Sequence, residues 1–304
     1  MDRRQLLKAV GGGLAATLIA PYRALGQQAS VSSLNDRLSL VTSGGTNVLA
    51  RSTGEGLILV DTGTPDRAGA LIASLSQLPG GGRVRTVFNT HYHLDHTGAN
   101  DALRQAGATI VAHENTRLWM ATPIWMPAED RYRPARPLLA HPSETFRVNG
   151  SMHAGDERIE YGYLIEAHTS GDIYIYLRDS NVLAVGGVAS PVQDPELDYL
   201  TGAWIGGRLD ALNLLAALGD DNTRIVPGVG PVMSKADVRA ERDMMKTLYD
   251  RAVDRVRQSD DANEMLQAGV LNGLPRTLKD PRKFLYDVNK GLWAHHNKLN
   301  PNVV

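Results

Sequence analysis

The sequence predicts an α/β fold, because segments of strand type and of helix type alternate along most of the chain. Short apolar runs separated by Gly-containing turns recur near the start and are typical of strands. The segment 66–78 instead has apolar residues at helical spacing, and a Pro-Gly-Gly-Gly stretch at 79–82 ends it. Two facing mixed sheets with helices outside, an αββα sandwich, satisfy this order. The pattern alone does not choose that layout over other α/β arrangements.

The individual elements follow from local patterns. Strands are predicted at residues 38–42, 47–51, 56–61, 84–89, 108–112, 158–168, 172–177, 182–185 and 224–226. Helices are predicted at residues 66–78, 96–106, 209–218 and 235–258. Asp95 is the expected N-cap of the second helix. The segment 119–142 contains five prolines and is predicted to be an irregular insertion.

Composition narrows the possible chemistry. The chain of 304 residues has no cysteine, which excludes disulfides, thiolate zinc sites and a cysteine nucleophile. A metal ion must then be held by His, Asp or Glu, a donor set that suits zinc or another divalent ion. The formal net charge of -1 provides no basic field for nucleic acid. A small-molecule substrate is therefore expected, while the oligomeric state is not predicted.

The first 26 residues are predicted to be a signal peptide. Arg3 and Arg4 precede Leu-Leu-Lys, a pattern that resembles a twin-arginine export signal. The apolar run at 9–20 is too short to span a bilayer, so no stable membrane anchor is expected. A small-x-small sequence at 24–26 is a plausible cleavage site. Residues 30–304 are predicted to form the exported domain, with a C-terminal helical extension, and its location is predicted to be the periplasm.

A histidine-rich segment carries the main functional signal. Residues 91–96 read His-Tyr-His-Leu-Asp-His. In an extended segment, residues two apart project to the same side, so His91 and His93 can reach one ion. Asp95 and His96 lie where the chain turns toward a helix and are expected to point to an adjacent position. The alternative, a solvated loop that is rich in histidine by chance, is disfavoured by this spacing.

Three motifs resemble the signatures of the metallo-β-lactamase superfamily over roughly residues 35–235. They are LILVDTG at 57–63, NTHYHLDHTG at 89–98 and AHTSGD at 167–172. The resemblance implies the αββα fold and a zinc ion bound by His91, His93 and His168. It further implies that Asp95 and His96 help to bind a second ion, and that Asp61 orients a ligand histidine without touching metal.

Two positions depart from the family pattern. Gly187 stands where the family has a bridging aspartate, and Val229 stands where it has its last histidine. Both losses affect the second metal position, where Asp95 and His96 are too few protein ligands for a tightly held ion. Asp194, Glu196 and Asp198 were weighed as substitutes, and solvated loop acids are the favoured interpretation. One zinc ion is therefore expected.

Three functions remain open on this evidence. The first is a mononuclear zinc hydrolase that cleaves an ester, lactone or amide-type bond, with zinc lowering the pKa of a bound water and Asp95 as general base or proton shuttle. The second is a catalytically degenerate binding or accessory protein. The third is a dinuclear hydrolase acting on β-lactams through substitute ligands. Aromatic residues of the insertion, which overhangs the metal cleft in the family, either form a substrate wall or pack the loop: Trp119, Trp125 and Tyr132.

Overall fold

The computed structural model describes residues 29–299 and contains fourteen strands and seven α-helices in that range. The strands are β1 (Ser30–Asn35), β2 (Leu38–Ser43), β3 (Thr46–Thr53), β4 (Gly56–Val60), β5 (Val84–Phe88), β6 (Thr109–His113), β7 (Ile124–Met126), β8 (Arg131–Arg133), β9 (Glu144–Phe146), β10 (Asn149–Ala154), β11 (Glu157–Tyr163), β12 (Ile173–Leu177), β13 (Val182–Gly186) and β14 (Arg224–Pro227). The helices are α1 (Ala68–Leu75), α2 (Asn100–Gln105), α3 (Glu114–Ala121), α4 (Ile205–Ala217), α5 (Lys235–Val256), α6 (Ala262–Gln267) and α7 (Pro281–Ala294).

Two mixed sheets form the centre of the fold. The first has seven strands in the order β1-β2-β3-β4-β5-β6-β9, antiparallel up to β4 and parallel from there on. The second has five strands in the order β10-β11-β12-β13-β14, and only β13 and β14 run parallel. A separate hairpin pairs β7 with β8. The arrangement confirms the predicted sandwich of two mixed sheets.

Side-chain alternation along the strands divides the core into layers. In β4, Ile58 and Val60 face the space between the sheets, while Leu57 and Leu59 face α1 and α2. In the second sheet, one face of β12 and β13 packs against the first sheet, and the other face packs against α4, α5, α6 and α7. Strands with both faces buried read as continuous apolar runs, which is why residues 57–60 were recognisable in the sequence.

Several local predictions are wrong in detail. The helix expected at 96–106 begins only at Asn100, with Ala99 as N-cap, so Asp95 caps nothing. Residues 94–99 form turns instead, because they wrap around the site described below. The strand expected at 158–168 ends at Tyr163, and the insertion contains the β7–β8 hairpin.

The predicted signal peptide lies in residues 1–28, outside the described part of the chain. Within residues 29–299, no helix is long and apolar enough to cross a membrane.

Candidate metal centre

The predicted ligands meet at one edge of the sandwich, where several strands end. Asp61 follows β4 directly, and the segment from Thr90 follows β5, the parallel neighbour of β4. His168 lies in the turn between β11 and β12, and the backbone of Ile173 donates a hydrogen bond of 2.9 Å to the Thr90 carbonyl. This bond joins the two sheets at the site and brings His91 close to His168, 77 positions further along the chain.

His91, His93 and His168 form a cluster that can hold a metal ion. Each offers one ring nitrogen, and these three atoms lie within 4.8 Å of one another. His93 Nδ1 and His168 Nε2 are 3.0 Å apart, and the rings of His91 and His168 are almost perpendicular. His91 and His168 are 1% and 4% exposed. The predicted three-histidine group is therefore present.

A protein group fixes the outer nitrogen of each ring. His91 Nδ1 lies 2.9 Å from Thr90 Oγ1, whose own proton goes to Asp61, so the nitrogen donates. His168 Nδ1 donates to the Glu196 carbonyl at 3.0 Å, and His93 Nε2 donates to the Asp198 carboxylate at 3.2 Å. Because each outer nitrogen carries the proton, each inner nitrogen presents a lone pair.

These inward lone pairs fit a bound cation. In the described part of the chain, the buried Nε2 of His91 has no hydrogen-bond partner. Once their outer nitrogens are protonated, His93 Nδ1 and His168 Nε2 direct lone pairs at each other across 3.0 Å. Burial and the neighbouring histidines lower the pKa of His91 and lower that of His168 to about 4, so both rings are neutral at pH 7. Burial opposes a charge on His93, but the contact with Asp198 outweighs burial and raises the pKa of this ring. When His93 is neutral, the three imidazoles that point to one centre form a zinc-type donor set.

Asp61 connects the cluster to the neighbouring His96. Its carboxylate accepts hydrogen bonds from Thr90 N at 2.8 Å and Thr90 Oγ1 at 2.7 Å, and it lies 3.0 Å from His96 Nδ1. The backbone of Asp61 has φ 62°, a left-handed conformation that costs a non-glycine residue on the order of 1–3 kcal/mol. This conformation directs the carboxylate at Thr90, which in turn holds His91.

The second metal position is much less complete. His96 Nε2 lies 3.5 Å from Asp95 Oδ2, and no group of three ligands forms there among residues 29–299. Burial opposes a charge on His96, but Asp61 outweighs burial and raises the pKa of this ring. Val229 is half-buried, and its backbone pairs with Thr46.

Gly187 has no room for a side chain. A Cβ placed there would lie 2.3 Å from His168 Cδ2 and 2.5 Å from His168 Nε2. The imidazole of His168 therefore packs directly on the glycine backbone.

The loop after β13 supports the cluster rather than replacing its missing ligands. Asp198 was expected to be a solvated loop acid, but its side chain is only 11% exposed and contacts both His93 and the hydroxyl of Tyr92. Burial raises the pKa of Asp198, and the contact with His93 outweighs burial and lowers it. Asp194 instead accepts hydrogen bonds from the backbone of Lys279 and Asp280.

Arg208, on α4, is a buried group that the sequence analysis missed. Its guanidinium donates at 3.2 Å to the carbonyls of Gly187 and Glu196, the two segments that pack against His168. It is 1% exposed and pairs with Glu241 at 3.5 Å. A helix-borne arginine gives no local signal of this kind, because its partners lie in a distant loop.

The aromatic residues of the insertion have separate roles. Trp119 donates from Nε1 to Ser170 Oγ at 2.7 Å and fastens the insertion to the domain. Trp125 and Tyr132 contact each other across the hairpin as tilted rings with centroids 5.0 Å apart, and both are exposed. Ile124 and Met126, the alternate residues of β7, instead line a cavity that adjoins the histidine cluster, together with Arg133 of β8. The insertion therefore contributes to this cavity through other side chains than the predicted aromatic ones.

A cleft of about 350 Å³ opens over the histidines and is bordered by Asp95, Glu196 and Lys283. This volume is within the range of small-molecule sites. A second cavity of about 390 Å³ adjoins it under the hairpin.

Comparisons with known proteins agree with this geometry. The family model described as the metallo-β-lactamase superfamily matches residues 42–250. A metallo-β-lactamase type 2 from Bacillus cereus is 25% identical over 201 residues, which are 66% of this chain and 73% of that protein. The corresponding enzyme from Bacillus sp. (strain 170) is 24% identical over 201 residues, 66% of this chain and 72% of that protein.

Solved structures show the same fold. A metallo-β-lactamase from Pontibacter korlensis superposes with a TM-score of 0.58 at 21% identity, covering 72% of this chain and 99% of that one. DIM-1 metallo-β-lactamase has a TM-score of 0.57 at 19% identity, covering 72% and 98%. Because the family model spans more than two thirds of the sequence, the chain belongs to the metallo-β-lactamase superfamily.

Proposed function

We propose that this member of the metallo-β-lactamase superfamily is an exported, mononuclear zinc hydrolase of small molecules with an ester, lactone or amide-type bond. The observation that carries the proposal is the convergence of three histidine nitrogens, each with its outer nitrogen fixed by a protein acceptor. This arrangement favours one ion at the position of His91, His93 and His168. The neighbouring position has only Asp95 and His96, so a single ion is proposed.

The chain itself would orient the site. Thr90, Asp198 and the Glu196 carbonyl hold the three rings in the tautomer that binds metal. A zinc ion bound there would supply a nucleophilic water at neutral pH and polarise the substrate carbonyl. The side chain of Asp95 is about half exposed and borders the cleft. Its carboxylate is proposed to accept the proton that the attacking water gives up.

The N-terminal sequence supports the proposed location of the protein. The N-terminal pattern with Arg3 and Arg4 favours export by the twin-arginine route to the periplasm. Expression of the full chain with its N-terminus intact tests this part by fractionation. Replacing both arginines by lysine should then leave the protein in the cytoplasm, whereas unchanged periplasmic protein would overturn it.

Metal content and hydrolysis test the proposed activity. We expect about one zinc per chain, turnover of chromogenic esters, and loss of both zinc and turnover in His91→Ala. The matched control is His153→Ala, because His153 is exposed on β10 away from the cluster.

Each other outcome supports a specific alternative. Two zinc ions per chain with hydrolysis of a chromogenic cephalosporin would overturn the mononuclear proposal in favour of a dinuclear β-lactamase. One zinc without turnover of esters, lactones or amides would indicate a binding protein. Activity that survives His91→Ala would exclude zinc chemistry at this cluster.

A further inference from the structure

The C-terminal segment beyond the family match forms one wall of the cleft. In α7, Phe284, Leu285 and Val288 are buried in the core against the second sheet. The opposite side of this helix places Lys283 at the cleft over the histidines and both Lys283 and Tyr286 at the adjoining cavity. The helix is therefore firmly packed while it borders the site.

Two contacts tie this segment to the loop after β13. The Asp194 carboxylate accepts hydrogen bonds of 2.8 Å from the backbone of Lys279 and Asp280 at the start of α7. Arg276 donates to the Ser190 carbonyl at 2.7 Å. The wall and the loop that carries Asp198 consequently form one unit.

A cavity of about 390 Å³ lies between this wall and the β7–β8 hairpin, and we call it the hairpin cavity. Its apolar lining comes from three separate elements: Ile124, Met126, Leu197, Tyr199, Leu200 and Tyr286. It shares His93 and Glu196 with the cleft over the histidine cluster. A substrate whose reacting bond lies at the cluster can therefore extend a side group into it.

The charges of the hairpin cavity disfavour an anionic group. Lys283 donates to Asp287 at 2.6 Å, and Arg133 donates one N–H to the neutral Tyr92 hydroxyl at 2.9 Å. Among the described lining residues, the carboxylates outnumber these two cations: Glu196, Asp198, Asp280 and Asp287. A carboxylate entering the cavity would lose water and would meet a lining that holds more acids than cations.

We propose, building on the hydrolase function above, that the hairpin cavity binds an uncharged aromatic or branched aliphatic group of the substrate. Tyr286 of α7 and Leu200 of the loop select this group by contact. The substrates are then neutral esters, lactones or amides with an apolar side group. Carboxylate-bearing compounds are discriminated against by Glu196 at the boundary of the two cavities.

A series of 4-nitrophenyl esters tests the proposal on the zinc-loaded protein. We divide kcat/KM for each ester by the rate constant of its uncatalysed alkaline hydrolysis. This corrected value should be about tenfold or more higher for the phenylacetate than for the acetate. The corrected kcat/KM should also be higher for the neutral butyrate than for the anionic hemisuccinate of similar size. The Glu196→Gln variant should reduce this difference between the butyrate and the hemisuccinate.

Variants of the lining separate contact from folding. Tyr286→Ala and Leu200→Trp should reduce the phenylacetate-to-acetate ratio at least fivefold, while Leu214→Trp, on an exposed position of α4, should leave it unchanged. Binding of 2-phenylacetamide, measured by calorimetry with acetamide as the reference, gives a readout that does not depend on turnover. Binding should weaken in Tyr286→Ala.

The outcomes distinguish the two proposals. One outcome is that the wild type hydrolyses the acetate, but Tyr286→Ala and Leu200→Trp leave the phenylacetate-to-acetate ratio unchanged. The hairpin cavity is then not a subsite, and the hydrolase function stands. If no ester is hydrolysed but 2-phenylacetamide binds and Tyr286→Ala weakens it, the hydrolase function fails and the cavity is supported. Absence of 2-phenylacetamide binding overturns the cavity proposal.

Discussion

The two neighbouring metal positions of this fold differ sharply in how their side chains are held. At the three-histidine position, every ring has a protein acceptor behind its outer nitrogen. At the adjacent position, His96 is held by Asp61, but Asp95 is about half exposed and no group of three donors forms among residues 29–299. The first position therefore has a complete donor set held by its neighbours, whereas the second lacks a third donor.

Gly187, which stands where the family pattern predicts a bridging aspartate, illustrates this point. Its backbone supports the ring of His168, and Arg208 holds the carbonyls of Gly187 and Glu196 next to that ring. A side chain at position 187 would therefore displace the ring of His168.

The largest expected effect is that of Gly187→Ala. The new Cβ would overlap the imidazole of His168, so we expect zinc affinity to fall by about 100-fold or more. Competition with a chromophoric chelator measures the change, and Gly54→Ala is the matched control because nothing lies within 4 Å of a Cβ there. For the same reason, Gly187→Asp combined with Val229→His should not create a second zinc site. Wild-type affinity in Gly187→Ala would contradict the packing of His168.

Asp95→Asn should separate the chemical step from metal binding. The proposed proton acceptor is lost, so kcat should fall by about 100-fold or more, while zinc at the three-histidine position should be retained. Steady-state kinetics together with metal analysis measure both quantities. Loss of the zinc ion in this variant would place Asp95 among the ligands of the first position.

Asp198→Asn should produce the complementary result. The amide keeps a weaker acceptor for His93 but loses the negative charge, so zinc affinity should fall by about tenfold. Asp210→Asn, at an exposed position of α4, is the control. Equal affinities in the two variants would show that the carboxylate behind His93 is dispensable.

The smallest effect concerns Asp287, on the α7 side of the cleft. Burial raises the pKa of this carboxyl from 3.8 to about 6. Above pH 6 Asp287 is ionised in both states, and its charged form is less favourable in the folded protein than in the unfolded chain. Below pH 3.8 Asp287 is protonated in both states, so this unfavourable contribution disappears. The wild type should therefore lose stability relative to Asp287→Asn as pH rises from 4 to 6.

Urea unfolding of both proteins at several pH values measures this loss. The pKa of Lys283 is raised by Asp287 above its ordinary 10.5, so this amine stays protonated throughout the range. Its attraction to the carboxylate is already part of the pKa of Asp287, so the difference between the two proteins follows the titration of Asp287 alone. Parallel pH profiles would mean that the Asp287 carboxyl titrates at its ordinary pKa.

Much of the site was predictable because its residues lie in contiguous motifs. The spacing predicted that His91 and His93 reach one ion, and the resemblance of the motif around His168 to a family signature implied the third histidine. The role of Asp61 remains a prediction, although its contacts with Thr90 and His96 agree with it. The predicted αββα fold is also confirmed, since two-layer burial leaves a strong apolar signal in strands such as β4.

The groups that hold these residues could not be predicted in the same way. Asp198 reaches His93 across 105 positions, and Tyr92 carries no distinguishing signal within the motif. The start of α2 was misplaced because the turns at 94–99 follow the site rather than local helix preference. Tertiary packing overrides local propensity where ligands must converge.

The α/β class follows from local patterns in the sequence, and the αββα layout and the three histidines follow from contiguous motifs that resemble family signatures. Which acceptor lies behind each histidine, why Gly187 has no room for a side chain, and how α7 borders the hairpin cavity are visible only in the folded protein. These features come from long-range contacts between strands, loops and the C-terminal helices, whose pairing no local pattern encodes.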